Sequence, residues 1–150
     1  MKDLKWDLFH LGMAQYVSTA SKDPSTKTGA VIVAENNSVI SVGFNGFPMG
    51  MEDKPEWWND RTEKLSRVIH CEMNALMFAN RKMLPEDCTL YTYPFMSCDR
   101  CCVHMIQAGI RRFVAPEATK AQIERWGDSF ARTRRYILEV GGILEEYYIH

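Results

Sequence analysis

The sequence lacks the features that mark membrane-spanning, repetitive and strongly basic proteins. No apolar run in its 150 residues approaches the length of a bilayer-spanning helix. No internal repeat or low-complexity segment is visible. The formal net charge is −1, so no overall field draws the chain toward long nucleic acid. We therefore expect neither a membrane nor a long nucleic acid as partner, whereas a small anionic ligand needs only one or two local cations.

The N-terminal residues have no apolar core of the kind found in signal peptides, because charges are spread through residues 1–7. Cysteine is scarce outside one cluster: the chain has five, and three of them lie within residues 98–102. In a reducing compartment such clustering indicates metal binding or catalysis before disulfides. These features predict a cytoplasmic protein.

Length and composition are those of one globular domain. Hydrophobic residues make up 46% and charged residues 25% of the chain, the usual balance of a soluble domain. A domain of this size buries enough surface to be stable alone. We therefore treat residues 1–150 as a single domain.

Periodicity predicts alternating helices and strands. A turn is expected at Asn36-Asn37, and Gly109 is expected to end a helix. Residues 45–60 show no period and predict a long functional loop. The alternation favours an α/β fold with helices on both faces of a sheet. The patterns place helices over about 4–20, 70–81, 99–108 and 119–140, and strands over about 30–33, 39–44, 89–92, 112–115 and 143–149.

Two short segments carry residues suited to metal chemistry. The first contains His70 and Glu72, and the second is a Cys-x-x-Cys sequence formed by Cys98 and Cys101. Both open predicted helices, where the helix dipole favours thiolate over thiol. One imidazole and two thiolates form a three-ligand zinc set, and a catalytic zinc keeps its fourth position for water. We predict one Zn²⁺ per chain at His70, Cys98 and Cys101.

Glu72 is not needed to complete this ligand set. A carboxylate beside metal-activated water can take its proton and pass it to a ring nitrogen and a leaving amine. Glu72 is therefore the predicted catalytic residue. Cys71 is expected to point away from the face that carries Glu72 and to be buried, with its backbone N–H available to a ligand.

The same cysteine cluster has a structural interpretation. A structural zinc would require a fourth protein ligand, and Cys102 is the local candidate. Adjacent helical residues point about 100° apart, so Cys101 and Cys102 cannot easily face one ion. The spacing therefore favours catalytic over structural zinc.

Four ordered blocks make the chain resemble the deoxycytidylate (dCMP) deaminases. The blocks are the two zinc segments, preceded by SKDPSTKTGAV at residues 21–31 and GFNGFP at residues 43–48. The resemblance implies a three-layer α/β/α fold with a mixed five-stranded sheet. It also implies hydrolysis of dCMP to dUMP and ammonia for thymidylate synthesis, with water activated by zinc and Glu72 moving protons.

The resemblance further implies a homohexamer that is activated by dCTP and inhibited by dTTP, with Mg²⁺ accompanying a bound effector. Residues 43–50 are the expected effector contact. Two positions depart from the family pattern, which usually has proline at position 97 and often a small apolar residue at position 102. Ser97 and Cys102 therefore bear on the shape of the pocket floor.

Substrate contacts follow from the resemblance with alternatives open. Asn45 is the predicted contact to sugar and base, although Asn-Gly also favours a plain turn. Phe47 walls the pocket in this interpretation, or else packs within its loop. Trp57 and Trp58 either cover the site or lie in an oligomer interface.

Several cations are candidates for the phosphate of a nucleotide. Any one of them is alternatively a solvated surface charge, and residues 125–126 and 132–135 of the last helix predict an exposed basic stripe. Lys22 and Arg81 are included among the predicted substrate-binding residues. The full set of phosphate candidates is Lys22, Lys27, Arg61, Arg81 and Arg132.

Other functions remain to be distinguished. The same chemistry suits a 5-substituted dCMP, a nucleoside or a tRNA adenosine, although the near-zero net charge argues against tRNA. A catalytically silent zinc-binding module is an alternative of another class. The presence of Glu72 argues against it, since a silent module has no need of a proton carrier.

Overall fold

The computed structural model describes residues 3–80 and 87–149, so the prediction for Arg81 lies outside the described residues. Six helices and five strands are found in these two ranges. In chain order they are α1 Leu4–Ser18, β1 Gly29–Val33, β2 Val39–Phe44, α2 Pro55–Asn59, α3 Arg61–Arg67, α4 Cys71–Met77, β3 Thr89–Tyr93, α5 Asp99–Gln107, β4 Arg112–Pro116, α6 Lys120–Glu139 and β5 Ile143–Tyr147.

The strands form one mixed sheet in the order β2-β1-β3-β4-β5. Strand β1 runs antiparallel to both β2 and β3. Strands β3, β4 and β5 are parallel to one another, and α5 and α6 provide the long connections that parallel neighbours require. The mixed five-stranded sheet predicted above is confirmed.

Each face of the sheet is covered by helices. Successive residues of β1 point to opposite faces: Val31 packs with Leu11 of α1, whereas Ile32 packs with Ala75 of α4 and Met105 of α5. All five residues of β1 are buried, as expected for a strand enclosed on both sides. The three-layer α/β/α arrangement is therefore confirmed, with α1 on one face and α4, α5 and α6 on the other.

The turn residues adopt the expected conformations. Asn37 has φ 69° between β1 and β2, and Gly109 has φ 109° just after α5. Both values fall in the left-handed region that asparagine and glycine tolerate best. The start of α6 is fixed by a capping box, in which the side chains of Thr119 and Gln122 each accept a hydrogen bond from the other residue's backbone N–H.

The segment predicted as a structureless loop is the main correction. Residues 55–59 form α2, and α3 follows directly after one intervening residue, Asp60. Pro55 is the first residue of α2, and the Asp60 side chain accepts from the Glu63 backbone N–H at 3.2 Å. Both are standard helix-start signals, but each helix is too short to show a hydrophobic period. In addition, α4 ends at Met77 rather than near 81.

A buried ion pair ties α1 to the sheet. The Arg112 guanidinium donates to both carboxylate oxygens of Asp7, at 2.9 and 2.6 Å. Tyr91 and Tyr147 donate to the same carboxylate at 2.7 Å each. Burial alone would raise the pKa of Asp7, but these hydrogen bonds outweigh it and hold the pKa below its ordinary value.

In the described part of the chain, no helix is both long enough and apolar enough to cross a bilayer.

Candidate active site and metal centre

The backbone places the two predicted metal segments at adjacent helix starts. His70 is the N-cap of α4 and Cys98 is the N-cap of α5. A bridge pairs Gly46 with Ile69, the residue before His70, through N–H···O bonds of 3.1 and 2.8 Å. The loop after β2 therefore fixes the position of His70.

The three predicted ligands lie together. His70 Nδ1 is 3.4 Å from Cys98 Sγ and 3.4 Å from Cys101 Sγ, and all three donor atoms lie within 4.8 Å of one another. Donor atoms around a tetrahedral zinc are about 3.6–3.8 Å apart, given Zn–N and Zn–S bonds of about 2.1 and 2.3 Å. The cluster therefore fits a zinc ion without rearrangement of the helices.

Cys102 does not belong to this cluster. It is fully buried among core residues of α4, α5 and the sheet, and its sulfur lies 4.0 Å from the carbonyl oxygen of Thr133 on α6. Among residues 3–80 and 87–149, the donor group contains only His70, Cys98 and Cys101. Three protein ligands leave a coordination position open, as catalytic zinc sites do.

Cys98 is the more acidic of the two cysteines in the cluster. The pKa of Cys98 is lowered to about 5, chiefly because Cys101 donates a hydrogen bond to its sulfur, and His70 adds a second. The pKa of Cys101 is raised, because its thiol donates that bond and because it is buried. Contact with Cys98 likewise raises the pKa of His70 to about 9. A thiolate beside imidazole is the ligand chemistry that zinc prefers.

Glu72 lies in the first turn of α4 and is 5% exposed. Its Oε1 accepts a hydrogen bond from Cys71 Sγ at 2.7 Å, so the expectation that Cys71 points away from Glu72 is wrong. Cys71 is buried, as expected. Burial, and then the charge of Glu72, raise the pKa of the Cys71 thiol, which remains protonated.

One cavity of about 310 Å³ joins these residues. Its size is at the lower end of the range for small-molecule sites. His70, Cys71, Glu72 and Cys98 line one part of it, and α3, the β3–α5 connection and α6 supply other walls. The cavity thus places the acid–base candidate and the metal ligands beside a space for a small substrate.

Asn45 lines the same cavity, but its amide is engaged within the protein. Its Nδ2 donates to Asp23 Oδ2 at 3.1 Å and to the Thr26 carbonyl at 3.0 Å, and its Oδ1 accepts from the Thr28 N–H at 2.9 Å. These bonds hold residues 23–28 against the cavity. Asn45 therefore shapes the wall, and its Oδ1 has one further lone pair for a ligand.

Two other predicted substrate residues lie outside the cavity lining. Lys22 forms an exposed ion pair with Asp53 at 3.1 Å. Phe47 stacks on Trp58, with ring centroids 3.9 Å apart, so the loop-packing alternative describes its position. Trp58 itself is buried.

The remaining phosphate candidates divide in the same way. Arg61 lines the cavity, whereas Lys27 bonds to the carbonyl of Ser21. Arg132 pairs with Asp99 at 2.7 Å. The prediction of an exposed basic stripe on α6 is wrong in part, because Thr133 is fully buried.

Lys64, Arg125 and Trp126 are among the cavity residues that sequence reasoning missed. Arg125 and Trp126 were assigned to the basic stripe because helical spacing identifies a face without identifying what covers it. The available signal was the tryptophan, since a large aromatic side chain beside an arginine seldom belongs to a fully solvated face.

The chain matches a known protein family over most of its length. The sequence profile described as "Cytidine and deoxycytidylate deaminase zinc-binding region" matches residues 4–117, which include His70, Glu72, Cys98 and Cys101. The chain belongs to this family. The family is described as zinc-binding, and the cluster of His70, Cys98 and Cys101 provides the ligands for that ion.

Individual members of the deaminase family align along most of the chain. A protein of Aliivibrio fischeri named "Uncharacterized deaminase in luxG 3'region" is 36% identical over 137 residues, which cover 91% of this chain and 90% of that one. Human deoxycytidylate deaminase is 32% identical over 133 residues, covering 80% of this chain and 74% of the human protein.

A solved structure shares the fold. The crystal structure of dCMP deaminase from the cyanophage S-TIM5 in complex with dCMP and dUMP aligns with a TM-score of 0.74 at 19% identity, covering 97% of this chain and 99% of that chain. This match supports the deaminase fold assigned above. The two departures from the family pattern, Ser97 and Cys102, do not line the cavity.

Proposed function

We propose that the protein is a zinc-dependent hydrolase that converts dCMP and water to dUMP and ammonia, and so supplies dUMP for thymidylate synthesis. The observation that carries this proposal is the position of Glu72, which is buried in the same cavity as the cluster of His70, Cys98 and Cys101. A zinc-binding module without catalysis has no use for that carboxylate or for the adjoining cavity. The names of the deoxycytidylate deaminases among the relatives support dCMP as substrate.

In this reaction a C–N bond at C4 of the ring is replaced by a C–O bond. The chemistry that zinc supplies when bound by the three ligands is to lower the pKa of water and yield a nucleophile near neutral pH. The Glu72 carboxylate accepts the proton that water releases, delivers it to the ring nitrogen N3, and transfers the water's second proton to the departing amine. Burial of Glu72 excludes bulk water from these transfers.

The predicted ligand-contacting residues have defined positions in this scheme. Asn45 holds the 23–28 segment against the substrate and offers its remaining lone pair to the sugar or base. The backbone N–H of Cys71, at the start of α4, is the proposed contact to the ring. Contacts from Lys22, Phe47 and Arg81 stay predictions that rest on the family resemblance.

Assembly and regulation are a further part of the proposal. Large apolar side chains stand exposed along α1, which supports self-association, and the resemblance specifies a homohexamer. The resemblance alone supports activation by dCTP, inhibition by dTTP, an accompanying Mg²⁺ and effector contacts at residues 43–50. A cytoplasmic location is supported by five cysteines that are all free thiols. The exposed large apolar residues of α1 are Leu4, Leu8, Phe9 and Tyr16.

The test is a substrate comparison with the zinc-loaded protein. Ammonia release is measured with dCMP, deoxycytidine, CMP, dCTP, a single-stranded oligonucleotide and a tRNA stem-loop, each at two salt concentrations. We expect dCMP to have the highest kcat/KM and to lose little affinity with salt, because a single phosphate releases few counterions. Adding dCTP or dTTP to the dCMP reaction tests the proposed regulation.

Each contrary result identifies a different protein. Equal rates on deoxycytidine and dCMP would make this a nucleoside deaminase. A preference for the oligonucleotide or the tRNA stem-loop with steep salt dependence would make it a polynucleotide deaminase. No ammonia from any substrate, with one zinc per chain present, would make it a silent zinc module.

A further inference from the structure

The cavity contains more positive charge than its own acids neutralise. Apart from the metal ligands His70 and Cys98, its charged lining residues are two acids and three cations. Lys64 Nζ lies 2.9 Å from Asp23 Oδ1, with both side chains largely shielded from solvent, so these two charges cancel. Glu72 is the remaining acid, next to the metal ligands. The cations left over are Arg61 and Arg125.

Neither arginine forms an ion pair with any residue in the described ranges 3–80 and 87–149. Other arginines of the chain do: Arg112, Arg132 and Arg134 each contact a carboxylate within 3.1 Å. Two arginines that face one cavity without a carboxylate partner provide a net positive charge. That charge matches a phosphate monoester, which carries about −1.5 to −2 at neutral pH.

The Arg125 side chain is restrained by Trp126 in a position suited to binding an anion. Its Cζ lies 4.5 Å from the centroid of the Trp126 ring, a cation–π distance at which the ring restrains the guanidinium without accepting its N–H hydrogen bonds in place of an anion. A planar guanidinium binds phosphate oxygens through two parallel N–H···O bonds. Because Trp126 already restricts the side chain, less entropy is lost when a ligand binds.

The helix that carries Arg125 is fixed to the metal segment. Ser129 Oγ donates to Asp99 Oδ1 at 2.8 Å and accepts from the Asp99 N–H at 3.0 Å. Thr133 Oγ1 donates to the Ser97 carbonyl at 2.9 Å. Asp99 and Ser97 flank the ligand Cys98, so α6 holds Arg125 at a constant position relative to the reacting end of the cavity.

We propose that Arg125, assisted by Arg61, binds the phosphate of the substrate and makes the enzyme select a nucleotide over a nucleoside. This inference rests on the proposed function, since it names the residue that recognises the substrate class. Lys64 is assigned to Asp23 and Arg132 to Asp99, and neither is the phosphate ligand.

The test compares two arginines of α6, of which Arg125 lines the cavity and Arg135 does not. Arg125→Gln removes the proposed contact, and Arg135→Gln is the matched control, because Arg135 stacks on Tyr136 at 5.4 Å without an ion pair to a described residue and does not line the cavity. The kcat and KM of each variant are measured with dCMP and with deoxycytidine. Arg125→Lys and the double variant Arg61→Gln/Arg125→Gln complete the series.

We expect Arg125→Gln to lower kcat/KM for dCMP by about 10- to 150-fold, mainly through KM, because a charged hydrogen bond is lost in ground and transition states alike. The value for deoxycytidine should fall by less than about threefold. Arg125→Lys should recover part of the loss, the double variant should lose more, and Arg135→Gln should match the wild type. An equal fall for both substrates, or no fall for dCMP, would overturn the proposal.

Binding of the product by calorimetry keeps this test separate from the proposed reaction. The wild type should bind dUMP more tightly than deoxyuridine, and Arg125→Gln should abolish that difference. If the wild type releases no ammonia yet shows this pattern, the proposed reaction fails and the phosphate assignment stands. If dUMP and deoxyuridine bind the wild type equally, the assignment of Arg125 fails whatever the activity.

Discussion

Arg112 and Asp7, 105 residues apart in sequence, form a two-pronged ion pair that links β4 to α1 beneath the sheet. Asp7 is fully buried and Arg112 is largely shielded. In such a place the net gain from the pair is small, but removing one partner leaves the other uncompensated. The packing of α1 against the sheet therefore depends on the charges of both Asp7 and Arg112.

Asp7→Asn should lower the free energy of unfolding by about 2–4 kcal/mol at pH 7, because among the residues that the structure describes it leaves the Arg112 guanidinium with only the partly exposed Glu145 as an acidic partner. Urea unfolding of the zinc-loaded protein measures this. Arg134→Gln, which breaks an exposed pair with Glu146, is the control and should cost less than about 1 kcal/mol. Equal losses in the two variants would show that the buried pair contributes no more to stability than the exposed pair.

The same pair predicts a pH dependence. The pKa of Asp7 is below its ordinary value of 3.8 in the folded protein, so its contribution to stability is complete above that value and is lost as pH falls through the folded pKa. The stability difference between wild type and Asp7→Asn should therefore be constant from pH 7 to 5 and shrink below about pH 4. A difference that widens toward acid would have the wrong sign for this assignment.

The metal ligands are tested by two cysteine variants. Cys98→Ala should lose zinc and activity together, because it removes one of three donors. Cys102→Ala should keep both, because its sulfur faces Thr133 rather than the cluster. Metal content per chain by elemental analysis and ammonia release report on the two properties. Loss of zinc from Cys102→Ala would contradict the ligand set.

Glu72→Gln separates proton transfer from metal binding. The amide is nearly the same shape as the carboxylate but cannot accept the proton, so zinc content should remain while turnover falls by about 10²–10⁴-fold. Binding of dUMP serves as the control that the cavity is intact. Near-normal turnover in a zinc-loaded variant would assign the proton transfers to another group.

A side chain at Gly43, which does not line the cavity, is expected to reduce activity through a steric clash with α4. A Cβ at this position would lie 2.5 Å from the Cys71 carbonyl oxygen and against the Ala75 backbone N, so Gly43→Ala must displace α4 and with it Glu72. We expect a loss of about 1–3 kcal/mol of stability together with reduced activity. Gly12→Ala is the control: it meets nothing within 4 Å and should stabilise α1 by about 0.5–1 kcal/mol. Equal behaviour of the two variants would refute the close approach.

The elements that could be predicted from the sequence are those with a repeating pattern or a fixed chemical spacing. The strands near Val31 and Leu90 and the helix starts at His70 and Cys98 are such cases. The short helix α2 could not be predicted in this way, because five residues complete little more than one turn.

The cavity was harder to predict because its lining comes from distant parts of the chain. Arg125 lies 55 residues after His70 in sequence, and only the tertiary contacts of α6 bring them to one cavity. Lys22 satisfied the charge requirement as well as Arg125 did in sequence, and only the structure shows that it pairs with Asp53. The sequence shows which residues are cationic, but the tertiary packing determines which of them lines the cavity.

The anchoring of α6 through Ser129 and Thr133 has an evolutionary consequence. The family profile ends at residue 117, before α6 begins, so the reacting groups and the part of the cavity wall formed by α6 are encoded in separate stretches of the gene. Substitutions at Arg125 or Trp126 can then alter which molecules enter while the groups that break the C–N bond stay untouched. Changes on the cavity-facing side of α6 are therefore a route to new substrates that leaves the catalytic segments in place.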